Sequence, residues 1–292
     1  MELQFGILAS GRLGAICTER LLKTKRISFV FTDKFSTGVI ELCNKGGIPL
    51  FVGNPRNGKA ASFIEQFKVD VLLSINYLFI VEKDIINLAR KYAINLHGSL
   101  LPKYRGRTPH VWAIINNEKE TGITAHLITE GCDEGDIVFQ EKITINDSDT
   151  GATLLEKFNE RYPAIISKVI DMIENHTIMP VKQNNAEATY FGKRTPLDGE
   201  INWNWQKEQI NNWVRAQARP YPGAFTFYEN TKVIIHKIEY VNTGFHQNDQ
   251  NGKILNADQL IVKTPNGAVR LVDFEKENHI IFKIGNVFHA GH

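Results

Sequence analysis

The sequence predicts an α/β protein: a doubly wound, mostly parallel sheet of Rossmann-like type followed by a small C-terminal β subdomain. Three observations lead there. In the first hundred residues, compact apolar runs alternate with segments of helical spacing, the pattern of parallel strands covered on both faces. Right-handed crossovers between such strands give a doubly wound sheet. The last seventy residues carry only short strand-like runs separated by turn dipeptides.

The elements follow in order. Gln4–Ala9 is a first apolar strand and Leu13–Leu22 has helical spacing. Ile27–Thr32 is β-rich, Val39–Lys45 helical, and Ile48–Val52 a short strand. The helical Ala60–Phe67 leads to a buried strand at Val71–Ser74, and the amphipathic Lys83–Arg90 leads to Ile94–Leu96. Ile123–Thr129 and Ile137–Ile143 are two further strands joined by an acidic, glycine-rich loop. Asp147 or Asp149 is expected to cap the helix that carries Leu154, Phe158, Ile165, Ile166, Val169 and Ile173. Pro163 should kink or interrupt it. Residues 177–204 are polar and lack a period, and Gln206–Ala216 is helical. Ala224–Tyr228 and Lys232–Tyr240 flank a turn at Glu229-Asn230. Ile254–Leu255, Leu260–Lys263 and Val269–Phe274 complete an incomplete barrel, with turns at Asn251-Gly252 and Asn266-Gly267. The expected division is a catalytic domain over 1–204 and a helix plus β subdomain over 205–292.

Composition narrows the function. With 42% hydrophobic and 23% charged residues the chain reads as an ordinary soluble protein. No stretch approaches the roughly 20 apolar residues of a membrane span. The first residues lack the basic segment of a secretory signal. Three scattered cysteines, Cys17, Cys43 and Cys132, suit a reducing cytoplasm and offer neither a disulfide framework nor a cysteine metal site. A net charge of +2 is too small to imply nucleic acid. No metal and no membrane partner is expected.

Chemistry concentrates in residues 94–112, INLHGSLLPKYRGRTPHVW. Strand ends of a doubly wound sheet border its ligand crevice. Asn95 and His97 stand two apart, so on a strand their side chains share a face. An amide donor beside an imidazole suits acyl transfer to an amine: Asn95 donates to the developing oxyanion, and His97 donates there too and moves a proton. Asp133, in GCDEGD (131–136), is the candidate carboxylate that orients or charges the imidazole. That loop lacks the acidic spacing and terminal glutamate of an EF-hand. By residue types alone the reading stops at an α/β enzyme with a possible acyl-transfer site; a structural histidine and a solvated acidic turn remain open.

The run from Asn95 through Gly106, NLHGSLLPKYRG, resembles the signature of the folate-dependent formyltransferases, and Gly131–Ile137 resembles that family's acidic loop and following strand. The family includes glycinamide ribonucleotide, methionyl-tRNA and sugar-nucleotide formyltransferases. The resemblance spans about residues 4–240 and implies Asn95, His97 and Asp133 as the catalytic set, with 10-formyltetrahydrofolate as co-substrate. It places the pterin along Asn76, Tyr77, Leu78 and Phe79 and along Ile128, Gly131, Cys132 and Asp136. Leu78 and Phe79 fit a flat heterocycle and fit a core equally well.

For the acceptor, Lys103, Tyr104, Arg105 and Arg107 lie in a basic loop beside the catalytic strand, where arginine favours phosphate; a solvated charge run is the alternative. Ser10-Gly11-Arg12 offers backbone amides at a helix start, or simply a tight turn. The text around Phe191–Pro196, with Lys193 and Arg194, and Arg215–Phe225, with Tyr221, resembles sugar-nucleotide N-formyltransferases. Relatives of that kind act on UDP-4-amino-arabinose or on dTDP-4-amino-4,6-dideoxyhexoses such as the glucose-configured sugar. The expected acceptor is therefore a nucleotide-linked amino sugar of the dTDP type. Aromatics such as Tyr221 and Phe225 either stack on a base or anchor the β subdomain.

Other readings are disfavoured. A methionyl-tRNA enzyme would carry a basic early insertion and a basic C-terminal barrel, whereas residues 205–292 hold ten Lys+Arg against eight Asp+Glu. A nicotinamide-binding protein needs GxGxxG, but Gly6, Gly11 and Gly14 are spaced GxxxxGxxG. A non-catalytic folate-binding module would have no need of Asn95, His97 and Asp133 together. A homodimer is expected through exposed strand edges of the C-terminal β region.

Overall fold

The computed structural model describes residues 2–290. In chain order its elements are β1 (Gln4–Ala9), α1 (Gly11–Thr24), β2 (Arg26–Thr32), α2 (Thr37–Gly46), β3 (Leu50–Val52), α3 (Ala61–Ile64) and β4 (Val69–Ile75). These are followed by α4 (Lys83–Ile86), β5 (Ala89–His97), β6 (Arg105–Gly106), α5 (Pro109–Ile115), β7 (Glu120–Leu127) and β8 (Ile137–Thr144). The rest are α6 (Gly151–Glu174), β9 (Tyr190–Phe191), α7 (Lys207–Ala216), β10 (Ala224–Tyr228), β11 (Thr231–Val241), β12 (Ile254–Asn256), β13 (Ile261–Thr264) and β14 (Gly267–Glu275). The chain forms two compact units. One comprises Met1–Gly106, Thr121–Ile143 and Lys157–Tyr190; the other comprises Arg107–Glu120, Thr144–Glu156 and Phe191–His292.

The first unit is the α/β fold that the alternating pattern predicts. Its seven-stranded sheet has the order β3-β2-β1-β4-β5-β7-β8. Pairing is parallel from β3 through β5 and antiparallel between β5 and β7. Strand order reverses between β1 and β4, which sets a crevice at their carboxyl ends. Under the sheet, Phe29, Phe31, Phe51, Phe63 and Phe67 meet ring to ring at 5.0–6.3 Å. A buried phenylalanine contributes roughly 1.5–3 kcal/mol. A Cβ at Gly6 would stand 2.3 Å from the Phe29 ring, so this glycine serves packing and not a dinucleotide fingerprint.

Several local expectations are corrected. The helix expected over 83–90 is one turn only, because Ala89 already pairs with Val69 and the Leu88 carbonyl accepts from the Val69 N–H. The helix expected over 60–67 likewise shortens to Ala61–Ile64. Pro163 does not break α6, which runs unbroken for 24 residues. Phe158, Tyr162, Ile165, Ile166, Val169, Ile170 and Ile173 are all buried along it, and that continuous apolar face outweighs the one hydrogen bond a proline removes. Asp149 Oδ1 accepts from Thr153 Oγ1 at 3.0 Å in the first turn of α6, beside a reciprocal pair of threonines. Thr150 Oγ1 accepts from Thr153 N–H at 3.2 Å, and Thr153 Oγ1 accepts from Thr150 N–H at 2.9 Å. Asp147 instead pairs with Lys119 at 2.9 Å.

In the second unit the five-stranded antiparallel sheet has the order β10-β11-β14-β13-β12. Glu229 and Asn230 both take positive φ (46° and 64°), the paired left-handed turn that matches hairpin twist. The barrel is more complete than expected. Phe227 and His289 exchange backbone hydrogen bonds at 3.0 Å, while Ile254 N–H donates to Asn286 and Phe288 N–H to Gly252. One C-terminal segment thus occupies both outer strands, β10 and β12. Inside, Trp203 stacks on Phe288 at 5.7 Å among Ile210, Tyr228, Val233 and Val269. Among the described residues no helix is long and apolar enough to cross a membrane.

Candidate active site

Strand register assembles the first part of the site. Asn95 pairs with His126 across β5 and β7, and His97 with Thr124. Side chains directly opposite in an antiparallel pair are neighbours on one face, so Asn95, His97 and His126 converge. His126 is the residue that the sequence reading missed. Its signal is present in ITAHL, where alternation puts His126 on the face of Thr124, but recognising it requires the β5–β7 register.

The ring partners fix the hydrogen positions. His126 Nδ1 lies 2.9 Å from the Leu127 carbonyl, which can only accept, so Nδ1 donates. In the neutral ring Nε2 is then an acceptor, and Asn95 Nδ2 donates to it at 3.1 Å. That orients the amide. The second Asn95 N–H faces Asp133 Oδ1 across a longer 3.4 Å. By the same logic His97 Nε2 donates to the Tyr104 carbonyl at 2.8 Å, which leaves Nδ1 as its basic atom, 3.5 Å from Asp133 Oδ2.

Asp133 comes from the acidic loop after β7. Its φ is +55°, a left-handed conformation uncommon for a side-chain-bearing residue. The loop folds this way because Gly135 lets it turn back on the strand: a Cβ there would sit 1.8 Å from the Leu127 carbonyl oxygen. Gln183 donates to the carbonyls of Asp133 at 2.8 Å and Gly135 at 2.7 Å, and Gly106 N–H donates to Asp133 Oδ2 at 2.9 Å.

Burial shapes the electrostatics. His97 and His126 are 7% and 2% exposed. Desolvation is the largest influence on His97 and pushes its pKa below the usual histidine value, against the pull of Asp133 and the Tyr104 carbonyl. Burial also opposes the Asp133 charge, but His97, His126 and the Gly106 N–H together outweigh it and hold the carboxyl well below the usual range.

The other expected residues fall in several places. Arg105 does not face solvent: at 1% exposure it donates to Gln183, Asn185 and Tyr190. Its carbonyl-bearing neighbour Tyr104 is buried, while Lys103 and Arg107 are exposed. Ser10 is fully buried, Arg12 is exposed, and the Gly11 N–H donates to Ser36 Oγ at 2.7 Å. Asn76 Nδ2 donates to the Ser10 carbonyl at 3.1 Å, joining the ends of β4 and β1. Leu78 is 39% exposed, Tyr77 and Phe79 are half-buried, and the Tyr77 hydroxyl is buried without a hydrogen-bond partner. Gly131 and Cys132 are exposed, Ile128 and Asp136 half-buried. In the second unit Lys193 is exposed, whereas Arg194 lies over the rings of Trp213 at 4.3 Å and Trp112 at 5.0 Å. Tyr221 hydroxyl meets His110 Nε2 at 3.0 Å, and burial pushes the His110 pKa down to about 4.

Comparison with known proteins places the chain among relatives. Residues 20–170 match the formyl transferase family model and residues 193–290 match the formyl transferase C-terminal domain. The bifunctional polymyxin resistance protein ArnA of Wigglesworthia glossinidia brevipalpis is 37% identical over 229 residues, 78% of this chain. The match spans only 35% of that relative's length. The fold is similar to WlaRD, a sugar 3N-formyl transferase solved with dTDP and 5-N-formyl-THF, at TM-score 0.72 and 21% identity over 96% of this chain and 100% of that one. An N-formyltransferase of Helicobacter canadensis, in complex with folinic acid and dTDP-3-aminofucose, also gives TM-score 0.72 and 21% identity, over 94% of this chain and 100% of that one. The methionyl-tRNA formyltransferase of Clostridium thermocellum gives 0.56 at 21% identity, over 81% of this chain and 93% of that one. Two matched family models, the first over more than half of the chain, lead to one conclusion: the chain belongs to the formyl transferase family.

Proposed function

We propose that this protein transfers a formyl group from 10-formyltetrahydrofolate to the amine of a nucleotide-linked amino sugar, with Asn95, His97 and Asp133 as catalytic residues. The observation that carries the reading is the convergence of Asn95, His97, His126 and Asp133 through strand register and the Asp133 loop. Relatives support the sugar acceptor: two structures of the same fold were solved with dTDP or a dTDP-amino sugar, and ArnA shares over a third of its sequence along the matched region. A dTDP-4-amino-4,6-dideoxyhexose is the specific acceptor proposed.

The co-substrate fits the residues present. Exposed Leu78, half-buried Phe79 and the orphaned Tyr77 hydroxyl offer an apolar face with a polar atom beside it, as a flat heterocycle requires. Bound there, it supplies an activated formyl carbon and a nitrogen leaving group. The acceptor amine attacks that carbon directly. Asn95 turns its less committed N–H to the formyl oxygen, where one donor is worth roughly 2.7–4 kcal/mol. His97, with Nε2–H held by Tyr104, takes the proton that the attacking nitrogen loses at Nδ1. Asp133, kept ionised, would stabilise the resulting imidazolium, which would return the proton to the folate nitrogen as its bond to the formyl carbon breaks. His126 holds the Asn95 amide in the donating orientation. The oxyanion role expected of both Asn95 and His97 is, in this reading, carried by Asn95 alone. Incubation with 10-formyltetrahydrofolate and a panel of UDP-, GDP- and dTDP-amino sugars, read by mass spectrometry, tests the proposal. Formylation of a dTDP-amino sugar is expected; formylation of Met-tRNA alone would overturn the acceptor.

A further inference from the structure

We infer that Arg105 is a positioning residue that sets the geometry of Asp133 and His97, and is not a ligand for acceptor phosphate. The inference rests on the formyl-transfer reading for its kinetic consequence. Burying a guanidinium to 1% exposure costs several kcal/mol unless its donors are satisfied. Here they are met by a set of oxygens that all belong to segments bordering the site. Arg105 Nε and Nη2 both donate to Gln183 Oε1, at 3.2 and 2.7 Å. Nη2 also donates to Asn185 Oδ1 at 2.8 Å and Nη1 to the Tyr190 hydroxyl at 2.6 Å. The Tyr190 hydroxyl in turn donates to Glu134 Oε1 at 2.7 Å.

The consequence lies in what the fork does to Gln183. With Oε1 committed to two guanidinium N–H groups, the amide NH2 must face the other way, where it donates to the carbonyls of Asp133 and Gly135. Arg105 thereby fixes an amide that holds Asp133 in its left-handed conformation, through one intermediary. The backbone of the same residue acts in parallel. Tyr104 N–H donates to Thr189 Oγ1 and Arg105 N–H to Thr189 O, both within 2.9 Å. These bonds place the Tyr104 carbonyl that receives His97 Nε2–H and the Gly106 N–H that donates to Asp133. A lysine keeps the charge but has one nitrogen on a flexible stem and cannot hold this fork.

Arg105→Lys in the full chain tests the inference, with Gln183→Leu as a second variant should the first fail to fold. The expected result is a fall in kcat of at least about tenfold, KM for folate and acceptor within about twofold of wild type, and a displaced acid limb in the pH–rate profile. Gln183→Leu should show the same pattern, and Tyr190→Phe a weaker one. An arm independent of activity uses histidine 15N NMR, with the His97 ring assigned by its absence in His97→Gln. The His97 Nε2–H signal, protected by Tyr104 in wild type, should broaden or exchange faster in Arg105→Lys. Wild-type kcat with an unaltered His97 signal would overturn the inference, as would a rise confined to acceptor KM, the mark of a phosphate ligand. Should the wild type formylate no acceptor, the functional reading fails while the NMR arm still decides the positioning role.

Discussion

His97 holds its Nε2–H toward a backbone carbonyl and its Nδ1 toward a carboxylate, and this pairing dictates what single substitutions should do. His97→Ala or Asp133→Ala should lower turnover by at least about a hundredfold, the ordinary share of a positioned proton-transfer group. Steady-state kinetics on folded variants checks this, and near-normal turnover would remove the assigned roles. His126→Phe should cost turnover more than folate affinity, because it frees the Asn95 amide to rotate. The residue scale is also where sequence legibility varies most. Asn95 and His97 were readable because a strand period of two fixes their common face. Asp133 needed a family resemblance, since no local rule brings a residue 36 positions away back to His97. His126 needed the register, and Arg105 was read outward when burial turns it inward: a charge beside a strand gives no sign of the acceptors that Gln183, Asn185 and Tyr190 supply from a stretch without periodicity.

Elements show how packing decides between competing local signals. Pro163 and the buried face of α6 make opposite demands, and the face prevails over 24 residues. Thr150→Ala should cost about 1 kcal/mol, since it removes half of the reciprocal cap at the start of that helix. Denaturant midpoints with an unchanged m-value would register the loss, and no shift would show that the cap is dispensable. Strands and most helices of the α/β unit were legible from apolar runs and helical spacing. The short α3 and α4 were overextended because a helical period continues in the sequence past the point where sheet pairing claims the backbone, as at Ala89.

At the scale of the molecule, two features carry predictions. The segment from Gly285 onward bonds to both β10 and β12, so removing it should expose two strand edges and leave the second unit prone to aggregation. Size-exclusion chromatography of the truncated chain should show oligomers; a well-behaved species of unchanged stability would contradict the closure argument. Stability should also fall with acid. Burial lowers the folded-state pKa of both His97 and His110, the latter to about 4. Between the unfolded value near 6.5 and those depressed values the unfolded chain binds more protons, so stability is full above about pH 6.5 and declines as pH falls toward 4. Asp133, depressed for a different reason, extends the decline to lower pH. His110→Asn should flatten the decline of Tm between pH 6.5 and 4, and an equally steep decline would assign it elsewhere. The fold class and the C-terminal barrel were visible from pattern, but its closure was not, because the closing segment lacks strand periodicity and is held through its backbone.

Asn95, His97 and Asp133 are proposed to move a formyl group to a sugar amine. The most direct measurement is mass spectrometry of a dTDP-amino sugar incubated with 10-formyltetrahydrofolate and either wild-type protein or Asp133→Ala. The account predicts a product 28 mass units heavier, the replacement of one N–H by N-formyl, made by wild type and at least about a hundredfold more slowly by the variant. Equal product formation by both proteins, or none by wild type from any nucleotide-amino sugar, would contradict it.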